Sequence, residues 1–138
     1  MFHLTIVTPE KTIYEGDVIS LVAPAVDGEI GILTNHHPLV TKLGVGGLRI
    51  KKNDGVEEVL FLNGGYLEVN NNKATVLANV LEYVEEIEKE QARQARERAQ
   101  SMLKNASDDL EYEKLEKELQ MHMMRERMAE IHQYRKRQ

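Results

Sequence analysis

Phe2, Leu4 and Ile6 alternate with His3, Thr5 and Val7, the period of two expected of a strand with one buried face. Thr8-Pro9-Glu10-Lys11 turns the chain, Thr12 to Tyr14 starts back, and beyond Glu15-Gly16-Asp17 the run Val18 to Ala23 predicts a further strand. Pro24 has no N–H to give to a ladder and is expected to end it. Gly28-Glu29-Ile30-Gly31-Ile32-Leu33-Thr34-Asn35-His36-His37-Pro38-Leu39-Val40 then reads as a short strand followed by a structured corner, because Gly28, Gly31, Asn35 and Pro38 bend a chain among apolar neighbours. Leu48 to Lys52 alternates again after Gly44, Gly46 and Gly47. Asp54-Gly55 is a tight hairpin signal leading to Val56–Leu62, Asn63-Gly64-Gly65 turns into Tyr66–Val69, and Asn70-Asn71-Asn72 turns into Lys73–Leu77. Many short strands separated by turn residues predict an antiparallel β-sandwich or flattened barrel.

Past residue 82 the period changes. Val84, Ile87, Ala92, Ala95, Ala99, Met102 and Leu103 recur mostly every three or four positions, predicting one amphipathic helix over about 84–104 with an alanine-rich seam. Asn105-Ala106-Ser107-Asp108 interrupts it. Asp108 or Ser107 can cap a second helix, with Glu111 in the capping-box position. That helix is expected over 109–134, about 40 Å long at 1.5 Å per residue. Its apolar stripe drifts: Tyr112, Leu115 and Leu119 mark one face, and Met121, Met124, Met128 and Ile131 another. The drift suggests that the proximal half packs on the first helix while the distal half presents a separate surface. The methionines can equally wrap onto the strand domain, since a folded-down hairpin also buries helix faces.

Composition sharpens this division. All nine glycines and all three prolines lie before residue 82, and Glu, Gln, Arg, Lys, Met and Ala dominate after it. The expected fold class is α+β: a β-sandwich domain over 1–82 and a two-helix antiparallel hairpin over 83–138. A formal net charge of −5 argues against nucleic acid as a partner. The absence of cysteine removes disulfide scaffolds, thiol catalysis and zinc fingers. No basic, apolar leader precedes the first strand, and no apolar run approaches the ~20 residues that span a bilayer. A soluble chain is expected, which leaves docking on a membrane complex open.

Candidate chemistry is sparse. His36 and His37 are adjacent, so on an extended segment they point to opposite faces and do not readily share one metal ion. The glycine cluster lacks the Gly-x-x-x-x-Gly-Lys-Ser/Thr form and leads into no helix, so it reads as a sheet bend rather than a phosphate loop. No nucleophile, metal cluster or paired acid and base stands at supporting spacing, and no catalytic residue is assigned. Arg125, Arg127, Arg135, Lys136 and Arg137 make the chain's end basic, with Glu126 and Glu130 opposing. Cations near a helix C-terminus are also favoured by its dipole alone. A generic coiled-coil adaptor would need sustained heptads, which the drifting stripe does not supply.

The segments GEIGILTNHHPLV, LTIVTPEKTIYEGDV, LGVGGLRI, FLNGGYLEV and KATVLA, in this set and spacing, resemble the epsilon subunit of the F-type ATP synthase, the counterpart of the mitochondrial delta subunit. With the helical tail the resemblance spans nearly the whole chain. It implies a non-catalytic rotor subunit of the central stalk of a proton-translocating ATP synthase, binding the gamma subunit and the c ring at the cytoplasmic face of a bacterial cell membrane. Glu29 matches the family position that faces the polar loops of the c ring, and His36 the one that faces gamma. Read on its own, Glu29 is equally a solvated turn charge. The tail resembles the family's regulatory arm, which restrains ATP hydrolysis; its basic end, with Arg125, Arg127 and Arg135, would meet acidic segments of the alpha and beta subunits. Some members bind ATP through Ile/Leu-Asp-x-x-Arg-Ala on the first helix. Here the matching residues are Ile87-Glu88-Lys89-Glu90-Gln91-Ala92. Glu82, Glu88, Arg98 and Arg125 stand at or near that family's nucleotide positions, but Gln91 and Met121 replace arginines. Losing two cationic donors argues for weak or absent ATP binding, so no cofactor is expected. An ATP-sensing module is the alternative function.

Overall fold

The computed structural model describes residues 1–136, which divide into two compact units, Met1–Tyr83 and a second beginning at Val84. The first unit holds six strands: β1 (Phe2–Val7), β2 (Thr12–Ala25), β3 (Gly28–Ile32), β4 (Leu39–Lys52), β5 (Glu57–Asn70) and β6 (Lys73–Tyr83). Their order is β1-β6-β5-β4-β2-β3, and β1 pairs with β2 as well, so five strands close into a ring and β3 remains an edge. Four of the ring's pairings are antiparallel, as the hairpin signals predict, but β1 runs parallel to β6. A closed ring of five strands cannot alternate direction throughout, so closure forces one parallel pair.

Alternation aims one set of side chains inward. Leu4, Ile6, Val18, Leu48, Ile50 and Leu62 are fully buried in one apolar cluster, the dominant favourable contribution to folding in a unit of this size.

Three predicted breaks are continuous strand. The Glu15-Gly16-Asp17 interruption is absorbed into β2, whose Gly16 pairs with Leu4. Pro24 does not end β2; it pairs with Glu29 of β3, and the ladder to β4 skips from Val22–Arg49 to Ala25–Leu43, so the missing N–H falls at an irregularity. Gly46 supplies room there, since a Cβ on it would come within 2.8 Å of the Pro24 Cβ. Asn63-Gly64-Gly65 bends β5 without ending it. Gly65 has φ +145°, and a Cβ there would lie 2.1 Å from the Leu77 carbonyl oxygen. Glycine is required at Gly65 by the close approach of β6, and the local sequence reads the same residues as a turn.

The β5–β6 hairpin turns through Asn71 and Asn72, both left-handed at φ 52° and 59°, between the paired residues Asn70 and Lys73. This is the backbone of a two-residue type I′ turn, which asparagine accepts readily.

The second unit contains a 3-10 turn (Val84–Glu86), α1 (Lys89–Lys104) and α2 (Asp109–Lys136). The α-helix therefore starts five residues later than its periodicity suggests. Val84 instead accepts the Ile87 N–H at 3.1 Å, closing a tighter turn. Asp108 caps α2 by accepting the Glu111 N–H at 2.7 Å, and the Glu111 carboxylate accepts the Ser107 N–H at 3.2 Å. Both of the anticipated capping residues are thus engaged.

Along the hairpin, Ala92 and Ala99 of α1 and Leu115 and Ala129 of α2 are buried. Arg96 donates to Glu126 through Nε at 2.7 Å, tying the two helices at mid-length. The expected split of α2 is met only in part: Glu126 still pairs with Arg96 of α1 in the distal half, while Met124 and Ile131 present an exposed apolar surface there. Its seam toward α1 continues distally through small and polar residues, which a count of apolar positions overlooks. The methionine stripe flanks this seam, with Met124 and Ile131 exposed.

Candidate functional site

The two candidate partner residues lie on edge strand β3 and just beyond it: Glu29 near its start and His36 in the corner four residues past Ile32. Glu29 is exposed near the start, where it lies opposite Pro24. One of its carboxylate oxygens is 3.7 Å from Arg49 Nη2 on β4, a long and solvated pairing that leaves the carboxylate available to another cation. From Glu29 to Ile32 the strand advances about 10 Å, at 3.3 Å per residue. The corner follows at once.

In the corner the His36 N–H donates to the Leu33 carbonyl at 3.2 Å, and Asn35 adopts a left-handed φ of 61°. His36 Nδ1 lies 2.7 Å from the His37 carbonyl oxygen. A carbonyl only accepts, so Nδ1 carries the proton, and in the neutral ring Nε2 is left as an acceptor. The two histidine rings are edge-on with centroids 6.5 Å apart, so they lie in contact rather than on opposite faces. Among the described residues no group of three or more His, Asp or Glu side chains is placed to hold a metal.

The corner has a fastening that sequence reasoning missed. Asn72, in the β5–β6 turn, accepts the Asn35 N–H on its Oδ1 at 2.8 Å and donates from Nδ2 to the Met1 carbonyl at 2.9 Å. Its residue type signals a turn but nothing about a long-range bond.

The hairpin places the remaining candidates. Arg98 on α1 and Arg125 on α2 both bear on the His122 imidazole, as does Glu118. Burial is the chief reason that His122 is pushed below its ordinary range, with the two guanidiniums adding to it. Its Nδ1 is buried without a hydrogen-bond partner. Arg98 and Arg125 thus both act electrostatically on His122, whereas Glu88 stands in extended backbone just before α1, about 15 Å from Arg98 along the axis at 1.5 Å per residue. Gln91 is exposed and Met121 half-buried. Glu82 belongs to the first unit, near the end of β6 opposite Phe61. Arg127 is exposed on α2. Arg135, Lys136 and Arg137 lie outside the residues whose side chains the structure describes. Glu126, expected to oppose the local arginines, is engaged by Arg96, whose hydrogen bond pulls its carboxyl below the usual range. Arg96 is legible in hindsight as the charged position inside an alanine seam.

Residues 1–84 match the family described as ATP synthase, Delta/Epsilon chain, beta-sandwich domain. An ATP synthase epsilon chain of Caldicellulosiruptor bescii is 41% identical over 129 residues, covering 94% of this chain and 93% of the relative. One from Dichelobacter nodosus is 38% identical over 114 residues, 83% of this chain and 80% of the relative. A chain in a cryo-EM structure of the Euglena gracilis mitochondrial ATP synthase (OSCP/F1/c-ring) shares the fold with a TM-score of 0.78 at 23% identity, over 87% of this chain and 76% of that one.

Proposed function

This chain belongs to the ATP synthase epsilon chain family, and from that premise we propose that it is a non-catalytic rotor subunit of the enzyme's central stalk. The observation that carries the proposal is that similarity to an epsilon chain runs through both units, over 94% of this chain. In this reading the strand unit is the coupling module. It binds gamma at the His36 corner and the polar loops of the c ring at Glu29, and so transmits proton-driven rotation to catalysis carried out on other subunits.

Physical chemistry supports each part. A five-strand ring closed by pairing has few soft modes, which suits a part that carries torque. A solvated carboxylate on an edge strand is a ready partner for a basic loop. No described helix is long and apolar enough to cross a membrane, so attachment at the cytoplasmic face of the membrane would run through the complex. The helical hairpin is the regulatory arm. Its exposed Met124 and Ile131 and its arginines Arg125 and Arg127 suit a surface that contacts acidic segments of the alpha and beta subunits while restraining hydrolysis.

The test is reconstitution of the full complex with two variants. Glu29→Lys is expected to weaken assembly on the c ring and lower coupled synthesis, and truncation after Ser107 to leave synthesis competent and raise hydrolysis. Unaltered coupling in the first and unaltered hydrolysis in the second would refute the two halves separately. A second reading is an ATP-responsive hairpin, supported by the electrostatic action of both Arg98 and Arg125 on His122 and weakened by Gln91 and Met121. Isothermal titration of the isolated chain with ATP decides it.

A further inference from the structure

Three segments far apart in sequence meet at one asparagine. The Asn72 backbone carbonyl accepts the His3 N–H at 3.2 Å, its Oδ1 accepts the Asn35 N–H at 2.8 Å, and its Nδ2 donates to the Met1 carbonyl at 2.9 Å. We propose that Asn72 is the positioning residue of the gamma-binding corner, fixing Asn35 and thereby the direction in which the His36 ring is presented. The proposal rests on the reading of that corner as the gamma-binding site.

Only a side-chain amide offers an acceptor and a donor at that reach, and asparagine also tolerates the left-handed φ of 59° that the turn imposes. Within the corner the His36 Nδ1–H donates to the His37 carbonyl at 2.7 Å and sets the ring against its own loop, so what orients that loop as a whole orients the ring. Asn35 and His37 are exposed, His36 is half-buried, and the local backbone bond is the His36 N–H to the Leu33 carbonyl. Without Asn72 the Asn35 N–H would turn to water, and the loop carrying His36 would sample several orientations. A partner would then have to order it on binding, which lowers affinity.

Two variants separate this role from a merely structural one. Asn72→Gly accepts the left-handed backbone and removes both side-chain bonds. Asn72→Asp keeps an acceptor for Asn35 and loses the donor to Met1. In the full chain, Asn72→Gly is expected to speed exchange of the Asn35 amide at least tenfold and to weaken binding of purified gamma subunit by about tenfold, the equivalent of roughly one hydrogen bond. Its thermal midpoint should fall by about 5–15 °C, the cost of losing the two side-chain bonds, with the turn and the fold preserved. Asn72→Asp is expected to restore Asn35 protection and most of the affinity. Unchanged Asn35 exchange in Asn72→Gly would show that the clamp does not exist. Fast exchange with undiminished gamma affinity would show that corner order does not matter for binding. Either result overturns the proposal while leaving the stalk reading intact. If the unmodified chain fails to bind gamma at all, the stalk reading itself fails and the proposal with it. Should Asn72→Gly not fold, Asn72→Asp with an unprotected Asn35 amide would still refute the clamp.

Discussion

Replacing Gly65 with alanine tests the closure of the strand unit at its tightest point. A Cβ at Gly65 would meet the Leu77 carbonyl oxygen at 2.1 Å, the Ala78 Cα at 3.0 Å and the Leu77 carbonyl carbon at 3.1 Å. All of these are backbone atoms of β6, so no side-chain rotation relieves the overlap. An ordinary contact requires β6 to retreat by about 1 Å from a normal interstrand spacing of 4.8 Å, which breaks one or two ladder hydrogen bonds worth about 1 kcal/mol each. Holding alanine at φ +145° adds about 1–3 kcal/mol of backbone strain. The expected loss is therefore about 2–5 kcal/mol, a large share of the 5–15 kcal/mol that typically separates folded from unfolded domains.

Gly64→Ala is the internal control. It too has a positive φ, +80°, but its Cβ would meet the Asn79 Nδ2 at 2.8 Å, the far end of an exposed side chain that can swing away. It should show the strain alone, about 1–2 kcal/mol. Urea unfolding of both variants, followed through the amide signals of the strand unit by NMR, gives the two values side by side. Equal losses, or a Gly65→Ala loss under about 1 kcal/mol, would refute the claim that the approach of β6 dictates glycine there.

The helix seam makes a complementary prediction. Arg96 and Glu126 are only 23% and 13% exposed, so Arg96→Met should lower the hairpin's melting temperature by leaving the Glu126 carboxylate without its partner, and adding Glu126→Leu should recover most of the loss. A double-mutant cycle with near-zero coupling would refute this. Two histidines should bend the pH profile in opposite directions. His3 donates from both ring nitrogens to Asp17 and Glu15 at 3.2 Å across the β1–β2 pairing, and those bonds raise its affinity for a proton above the ordinary 6.5. Its contribution is fully present below that ordinary value and is lost as pH rises through the raised one, so His3→Gln should flatten the alkaline side of the strand unit's melting profile. His122 is shifted downward, first by burial. Its contribution is present above the ordinary value and lost as pH falls through the depressed one, so His122→Phe should flatten the hairpin's acid side. Profiles of the two variants that parallel the parent would contradict these assignments.

Much of the architecture is legible before any coordinates, and particular residues show why. The alternation of Phe2, Leu4 and Ile6 reports a buried face, because a strand's side chains switch sides at every residue. Asp54-Gly55 and Asn71-Asn72 report turns, because few residues accept left-handed backbone. The loss of glycine and proline after residue 82 reports helices for the same local reason. Glu29 and His36 become site candidates through the family resemblance, and their neighbourhood of bend residues is visible in the chain.

Other features depend on which distant segment arrives. Gly64-Gly65 carries the same local signal whether it ends a strand or bends one, and only the backbone of β6 pressing on Gly65 distinguishes the two. The parallel β1–β6 pairing follows from closing five strands, which no stretch of sequence records. The seam on α2 was obscured because His122, Glu126 and Ala129 are not an apolar stripe; Arg96 on the other helix gives Glu126 its partner. Asn72 meets Asn35 across 37 residues and Met1 across 71. A residue's pattern among its neighbours encodes how its own backbone bends and which face it buries, whereas the partner of a hydrogen bond or an ion pair is settled when remote strands and helices are brought within 3 Å of each other.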